Sequence, residues 1–221
     1  MRTLLCLLAI TLSAPDGTKV LFEDNFQGGL GEGWSWVREQ PEGWRTTAEG
    51  LEILVEPGNM WGKENSGKNV LLRPVPEQVE GGISASVQVE NQPSFLYEQV
   101  DLVWYYNDSH MVKIGLELVH DQLSLVMGRE EMDQAQTLAI IPLKNSVVGL
   151  KLSVEDGRIR GHYRIEPEGE WQYAGTCTLP AQGKPFISIQ AYRGADPPTH
   201  WAKIRHFSVW SEDTAAGKDK K

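Results

Sequence analysis

Apolar residues recur at every second position along most of this chain, and that period of two dictates strands rather than helices. In MVKIGLELV (111–119), Val112, Ile114, Leu116 and Leu118 fall on one side, with Lys113, Gly115 and Glu117 on the other. LEILVEP (51–57) alternates Leu51, Ile53 and Val55, and GISASVQVEN (82–91) alternates Ile83, Ala85, Val87 and Val89. QLSLVMG (122–128) repeats the pattern with Leu123, Leu125 and Met127. In GLKLSVEDGRIRGHYRI (149–165), Leu150, Leu152 and Val154 run in, and Ile159, Gly161 and Tyr163 return. The Asp156-Gly157 pair between these runs is a strong hairpin signal. PFISIQAY and AKIRHFSVW close the series. About a dozen strands punctuated by Gly, Pro, Asn and Asp, without crossover helices, predict an all-β, two-sheet antiparallel sandwich.

The 221 residues fit one such domain over 18–210, with short ends. Residues 1–14, MRTLLCLLAITLSA, read as a signal peptide: Arg2 begins it, Leu4 to Leu12 form the apolar run, and Thr11, Ser13 or Ala14 meet the small-residue cleavage rule. The expected location is therefore secreted or periplasmic, or cytoplasmic if the leader is not processed. The tail SEDTAAGKDKK (211–221) is small and charged and is expected to be disordered. Cys6 lies in the leader, so a processed chain keeps only Cys177, read as a buried strand thiol without a disulfide. Thirty acidic residues against 21 Lys and Arg give a formal charge of −9. That balance argues against nucleic-acid backbones and anionic membranes as partners. No membrane span and a monomeric state are expected.

Two stretches carry a resemblance. LFEDNF…GLGEGWSWVREQPEGWRTTAEGLEILVEPGNMWG…NVLLRPVPE and PSFLYEQVDLVWYYNDSHMVKIGLELV…LSLVMGREE resemble the "regulation of enolase" family, a domain of unknown function. The motif W-S-W-V-R-E followed by W-R carries most of it, and the likeness covers roughly residues 20–210. It implies a concanavalin A-like jelly roll, a fold also similar to the C-terminal module of some β-xylosidases. Glycine is common in such relatives where Asp101 stands here, and an acid is common where His206 stands.

Glycosidases occur among sandwiches of this kind, and a retaining enzyme needs two carboxyl groups about 5–5.5 Å apart. An E-x-D-x-x-E arrangement is absent, Glu130 and Glu131 are adjacent, and Glu117 is alone on its strand. No G-x-S-x-G elbow occurs, and His110, His120, His162, His200 and His206 lack ligand spacing. A non-enzyme is expected. No cofactor is expected either, apart from a structural calcium that Glu23, Asp24 and Asn25 leave open.

The aromatic residues say more. Trp36, Trp61 and Tyr97 stand beside polar residues in turns and at strand ends, where aromatic faces can stack on sugar rings. Trp104 and Trp210 sit inside apolar strands and are expected in the core. Lys113 and Glu117 share the face opposite the core, and Gln99, Gln190 and Tyr192 have the matching parity on other strands. Arg129, beyond the core run, is placed where it can swing over the same face. These nine form the candidate ligand site. The leading expectation is a non-catalytic, lectin-like domain for a carbohydrate or similar polar ligand. The alternatives are a protein-interaction or regulatory module and a glycoside-acting enzyme.

Overall fold

The computed structural model describes residues 18–77, 81–167 and 169–212. The expected leader and nearly all of the expected tail lie outside the described residues. The strands, in chain order, begin with β1 (Thr18–Asp24), β2 (Ser35–Val37), β3 (Trp44–Thr47), β4 (Gly50–Leu54) and β5 (Val70–Pro74). The long central strands are β6 (Gly82–Glu90), β7 (Gln99–Asn107), β8 (His110–Val119), β9 (Gln122–Glu131) and β10 (Gln134–Pro142). The chain ends with β11 (Val147–Glu155), β12 (Arg158–Ile165), β13 (Gln172–Thr178), β14 (Phe186–Tyr192) and β15 (Trp201–Glu212). One 3₁₀ turn, Pro41–Gly43, interrupts them, and no α-helix occurs among the described residues. β15 runs to Glu212, two residues past the expected boundary at 210, because Ser211 and Glu212 stay paired with Ile83 and Gly82 of β6 and with Lys19 and Thr18 of β1.

All strand pairs are antiparallel. One sheet has the order β13-β12-β11-β6-β15-β4-β3, and the other β10-β9-β8-β7-β14-β5-β2. β15 pairs first with β4 and then with β1 along the same edge. The handover falls at a bulge after Arg205, where His206 takes a left-handed φ of 52°. The Asp156-Gly157 hairpin has φ of 48° and 72°, the positive pair that a two-residue turn with matching twist requires.

The sheets pack face to face in a jelly-roll-like sandwich. Val100, Leu102 and Trp104 of β7, Ile114 and Leu116 of β8 and Ile187 and Ile189 of β14 meet Val87 and Val89 of β6 and Leu150 of β11 between the sheets. Trp210 is also buried, but it pairs with Ser84 and points away from Val209, which fills the core.

Alternation leaves polar residues on the far side of the β10-to-β2 sheet, yet that side is not open to water either. The loop 58–67 folds over it. Met60 joins Val70, Leu72, Val103, Tyr105, Met111 and Tyr192 in a second apolar cluster. The loop is tied down by backbone bonds from Ser66 and Gly67 to the Asn59 carbonyl, and by Arg38 Nε donating to the Gly67 carbonyl at 2.6 Å. Arg38 is fixed in turn by a 2.5 Å ion pair with Asp108.

Candidate functional site

Three ladder rows cross the covered face. Tyr192, Gln99, Glu117 and Ser124 form one row, contributed by β14, β7, β8 and β9. Gln190, Asp101, Gly115 and Val126 form the next. Ser188, Val103, Lys113 and Gly128 form the third. Lys113 thus starts two rows from Gln99 and Glu117, and Gly115 lies between. A Cβ at Gly115 would collide with the Asp101 carboxylate and the Val100 carbonyl, so glycine there makes room for Asp101.

The Lys113 ammonium is 3% exposed and closes the space between these rows. It donates to Gln99 Oε1 and, at 3.2 Å, to Glu117 Oε2. Asp101 Oδ2 is 4.0 Å away. The Tyr192 hydroxyl donates to the same Gln99 oxygen at 3.0 Å. Trp61 covers the group, with its ring centroid 4.8 Å from the ammonium, a cation–π contact strengthened by exclusion of water.

Two carboxyl groups sit deeper. Asp101 has no accessible surface, and neither of its oxygens has a hydrogen-bond partner among the described residues. Burial pushes it up from 3.8 to about 6, with Lys113 pulling down and Glu117 pushing up. Glu130 Oε2 accepts the Gly62 N–H at 3.0 Å and so anchors the loop that carries Trp61. Burial pushes Glu130 to about 7, against that N–H. Burial, with Asp101 next, holds the Tyr192 phenol well above its ordinary value.

Above this floor is a pocket of about 400 Å³. Trp61, Tyr97, Gln99, Lys113 and Glu117 line it, together with Asn59, Val126, Thr137, Ile140, His120 and Arg193. The structure therefore brings together five of the nine residues selected from the sequence. Gln190 and Tyr192 lie on the same face but are buried behind the lining. Gln190 donates to Ser188 at 3.2 Å, and its carbonyl has no partner among the described residues.

Trp36 and Arg129 lie elsewhere, which corrects their expected placement. Trp36 packs against the inter-sheet core with its ring centroid 5.0 Å from that of Trp44. Arg129 pairs in register with Val112 and shares the parity of Met127, so it leaves the sheet on the core side and bonds Glu131. It cannot swing across without passing through its own strand.

Sequence reading missed Asp101, Glu130 and Arg193 as members of this region. Asp101 was visible only as an acid where glycine is common. It also supplies the partner carboxylate that Glu117 lacks on its own strand, because the two meet diagonally across β7 and β8 around one ammonium.

The side chains of residues 23–25 are engaged with the protein itself. Asp24 accepts the N–H groups of Phe26 at 2.7 Å, Gly31 at 2.9 Å and the Trp34 indole at 2.9 Å. Glu23 bonds Ser208 and Asn25 bonds His206, so the three side chains diverge. Among the described residues no group of three His, Cys, Asp or Glu side chains could hold a metal ion. The Cys177 thiol is free, and burial pushes it up to about 11, which leaves it unreactive at neutral pH.

No family model matches the chain, and no curated protein sequence does. Solved structures do. The xylan β-1,4-xylosidase of Bacillus halodurans C-125 superposes with a TM-score of 0.71 at 17% identity, over 85% of this chain and 38% of that one. The Bacteroides ovatus protein described as xyloglucan PUL GH43B gives 0.69 at 17% identity, over 85% and 38%. The CBM2 module of an evolved Dit protein from Lactobacillus casei BL23 phage J-1 gives 0.61 at 8% identity, over 90% of this chain and 97% of that one. This chain spans little more than a third of the two hydrolases. At these identities the likeness establishes a shared sandwich fold. No helix among the described residues is long and apolar enough to cross a membrane.

Proposed function

We propose that this sandwich is a non-catalytic, lectin-like binding module whose ligand is a carbohydrate or a similarly polar molecule seated in the pocket over β7, β8 and β9. The observation that carries the reading is the pairing of an aromatic wall with a pre-bonded polar floor. Trp61 is locked over Lys113, while Gln99, Lys113 and Glu117 are fixed by one another before any ligand arrives. Such a site loses little side-chain freedom on binding. Small-molecule sites mix apolar walls with a few fixed polar groups in this way. The similar structures include a xylan β-1,4-xylosidase and a CBM2 module, which agrees with this ligand class.

Two features support binding over turnover. Asp101 has no surface through which to reach a ligand, and Glu117 commits one oxygen to Lys113. A pair of acids around one ammonium is nevertheless what a glycoside-acting site would build on. Hydrolysis of aryl glycosides by the domain, abolished by Glu117→Gln, would replace this reading with an enzymatic one.

One observation favours the interaction-module alternative. Phe95 and Leu96, directly before Tyr97, are 52% and 42% exposed. Exposed aromatic and aliphatic side chains of this kind are common in protein interfaces.

The deciding experiment is a glycan array with and without calcium, followed by calorimetry on the best hit. Affinity of order 10 μM to 1 mM is expected, about −4 to −7 kcal/mol. Loss of binding in Trp61→Ala and Glu117→Gln, with folding intact, supports the pocket. Unchanged binding in both places the site elsewhere.

A further inference from the structure

Tyr97 precedes β7, His120 follows β8 and Arg193 follows β14. Because β7 runs antiparallel to both neighbours, all three reach the same end of the sheet and form one rim of the pocket. His120 belongs to a two-residue hairpin turn with Asp121, which accounts for its positive φ. No hairpin accounts for Tyr97 and Arg193, with φ of 66° and 65°. Non-glycine residues rarely adopt this conformation. It brings the Arg193 guanidinium 5.4 Å from the centre of the Tyr97 ring.

Arg193 differs from the other half-buried arginines of the described residues. Arg38, Arg129, Arg160, Arg164 and Arg205 each pair with a carboxylate, and Arg73 donates to the Glu32 carbonyl. Arg193 makes no hydrogen bond or ion pair among the described residues. A guanidinium presents a planar fork of donors suited to an oxyanion. The chain is otherwise acidic, at −9.

Within the pocket the other deep cation is already used. Lys113 is bonded to Gln99 and Glu117, so it is not free to neutralise a ligand. Glu117 Oε1 accepts no hydrogen bond among the described residues, and its side chain lines the pocket. The site is thus divided: hydroxyl-accepting oxygens at the floor and an unpaired cation at the rim.

We propose that the pocket selects an acidic sugar, with its anionic group held by Arg193 against the Tyr97 ring and its hydroxyls donated to Glu117. This rests on the carbohydrate reading above and narrows it. A uronate carboxylate fits the planar fork in a two-point contact. A sulfate ester carries the same charge, and separate arms of the test distinguish the two sources.

The test is calorimetry with paired ligands: oligogalacturonates and glucuronoxylan oligosaccharides against their methyl esters, and sulfated galactans against their desulfated forms. In the wild type the acidic member of at least one pair is expected to bind roughly fivefold tighter. That ratio should shrink in about 0.5 M NaCl, where the screening length is only a few ångströms. In Arg193→Gln the ratio should fall to about one, and Arg193→Lys should restore part of it. Thermal melting shows whether each variant is folded. If acidic and neutral members bind equally, or if Arg193→Gln keeps the ratio, the acid preference is overturned while the carbohydrate reading stands. If no member of any pair binds at millimolar concentration, the acid preference is overturned, and the glycan array alone decides the carbohydrate reading.

Discussion

The indole of Trp61 rests on the bare backbone of Gly128: a Cβ at that position would stand 2.5 Å from the ring. Gly128 is the register partner of Lys113, so the same glycine that admits the ring also brings it over the ammonium. Glu130, two residues further along β9, fixes the loop through Gly62.

This geometry predicts the outcome of Gly128→Ala. The new methyl must push Trp61 outward, because the strand beneath cannot move. The loop can yield, so stability should fall by only about 1–2 kcal/mol. Binding of the best array ligand should weaken by about tenfold, since the aromatic wall is displaced. Calorimetry and a thermal melt on the same sample separate the two effects. Unchanged affinity would show that Trp61 does not touch the ligand.

Much of this site was legible in the sequence, for a simple reason. A period of two sends Lys113, Glu117, Gln99, Gln190 and Tyr192 to one face once Ile114, Leu116, Leu102 and Ile189 are placed in the core. What parity cannot supply is register. The meeting of Asp101 with Glu117 around Lys113 depends on how β7 slides against β8, and nothing local encodes that offset. Loops were harder still. Trp36 and Trp61 both stand among polar residues, but one is drawn inward by Trp44 and the other is held out over Gly128 by its loop. The expectation for Arg129 failed on parity itself, since it shares the core side with Met127.

The two tryptophans should accordingly separate in experiment. Trp36→Ala removes a ring packed at a tilt against Trp44, 5.0 Å between centroids, and should cost about 3 kcal/mol of stability. Its effect on ligand affinity should be small. Trp61→Ala should do the reverse, with a modest loss of stability and binding below detection. Equal losses of affinity in both would mean that the site extends toward β2.

Stability should fall as pH rises through the acid range. Asp101 titrates near 3.8 when unfolded and at about 6 when folded, so the folded state holds its proton more tightly. The resulting advantage is complete below about pH 4 and is lost by about pH 6. The gap corresponds to about 3 kcal/mol. Glu130, moved from 4.5 to about 7, adds to the same slope. Denaturant unfolding at pH 5 and pH 8 measures it. Asp101→Asn should flatten the curve and stabilise the domain at pH 8. His162 and His206, lowered by burial, act in the opposite sense, so the decisive quantity is the difference between wild type and Asp101→Asn; a difference that does not fall over this interval would contradict the burial of Asp101.

Lys113 is the keystone of the buried set, and its removal should be the most damaging single change at the floor. Lys113→Met keeps much of the stem's volume but deletes the ammonium, leaving Asp101 and Glu117 facing each other without a cation. Removing one member of a buried ion pair typically costs about 3–5 kcal/mol, because the remaining charge stays desolvated. Here the loss should grow with pH as Asp101 ionises. The double variant Lys113→Met with Asp101→Asn removes one of the stranded charges and should recover part of the loss at pH 8, but little at pH 4. A double-mutant cycle by denaturant unfolding at both pH values measures this coupling. Additive effects at pH 8 would mean that the 4.0 Å separation between Lys113 and Asp101 carries no interaction. The rise of Asp101 through burial and Glu117 would then go unopposed by Lys113.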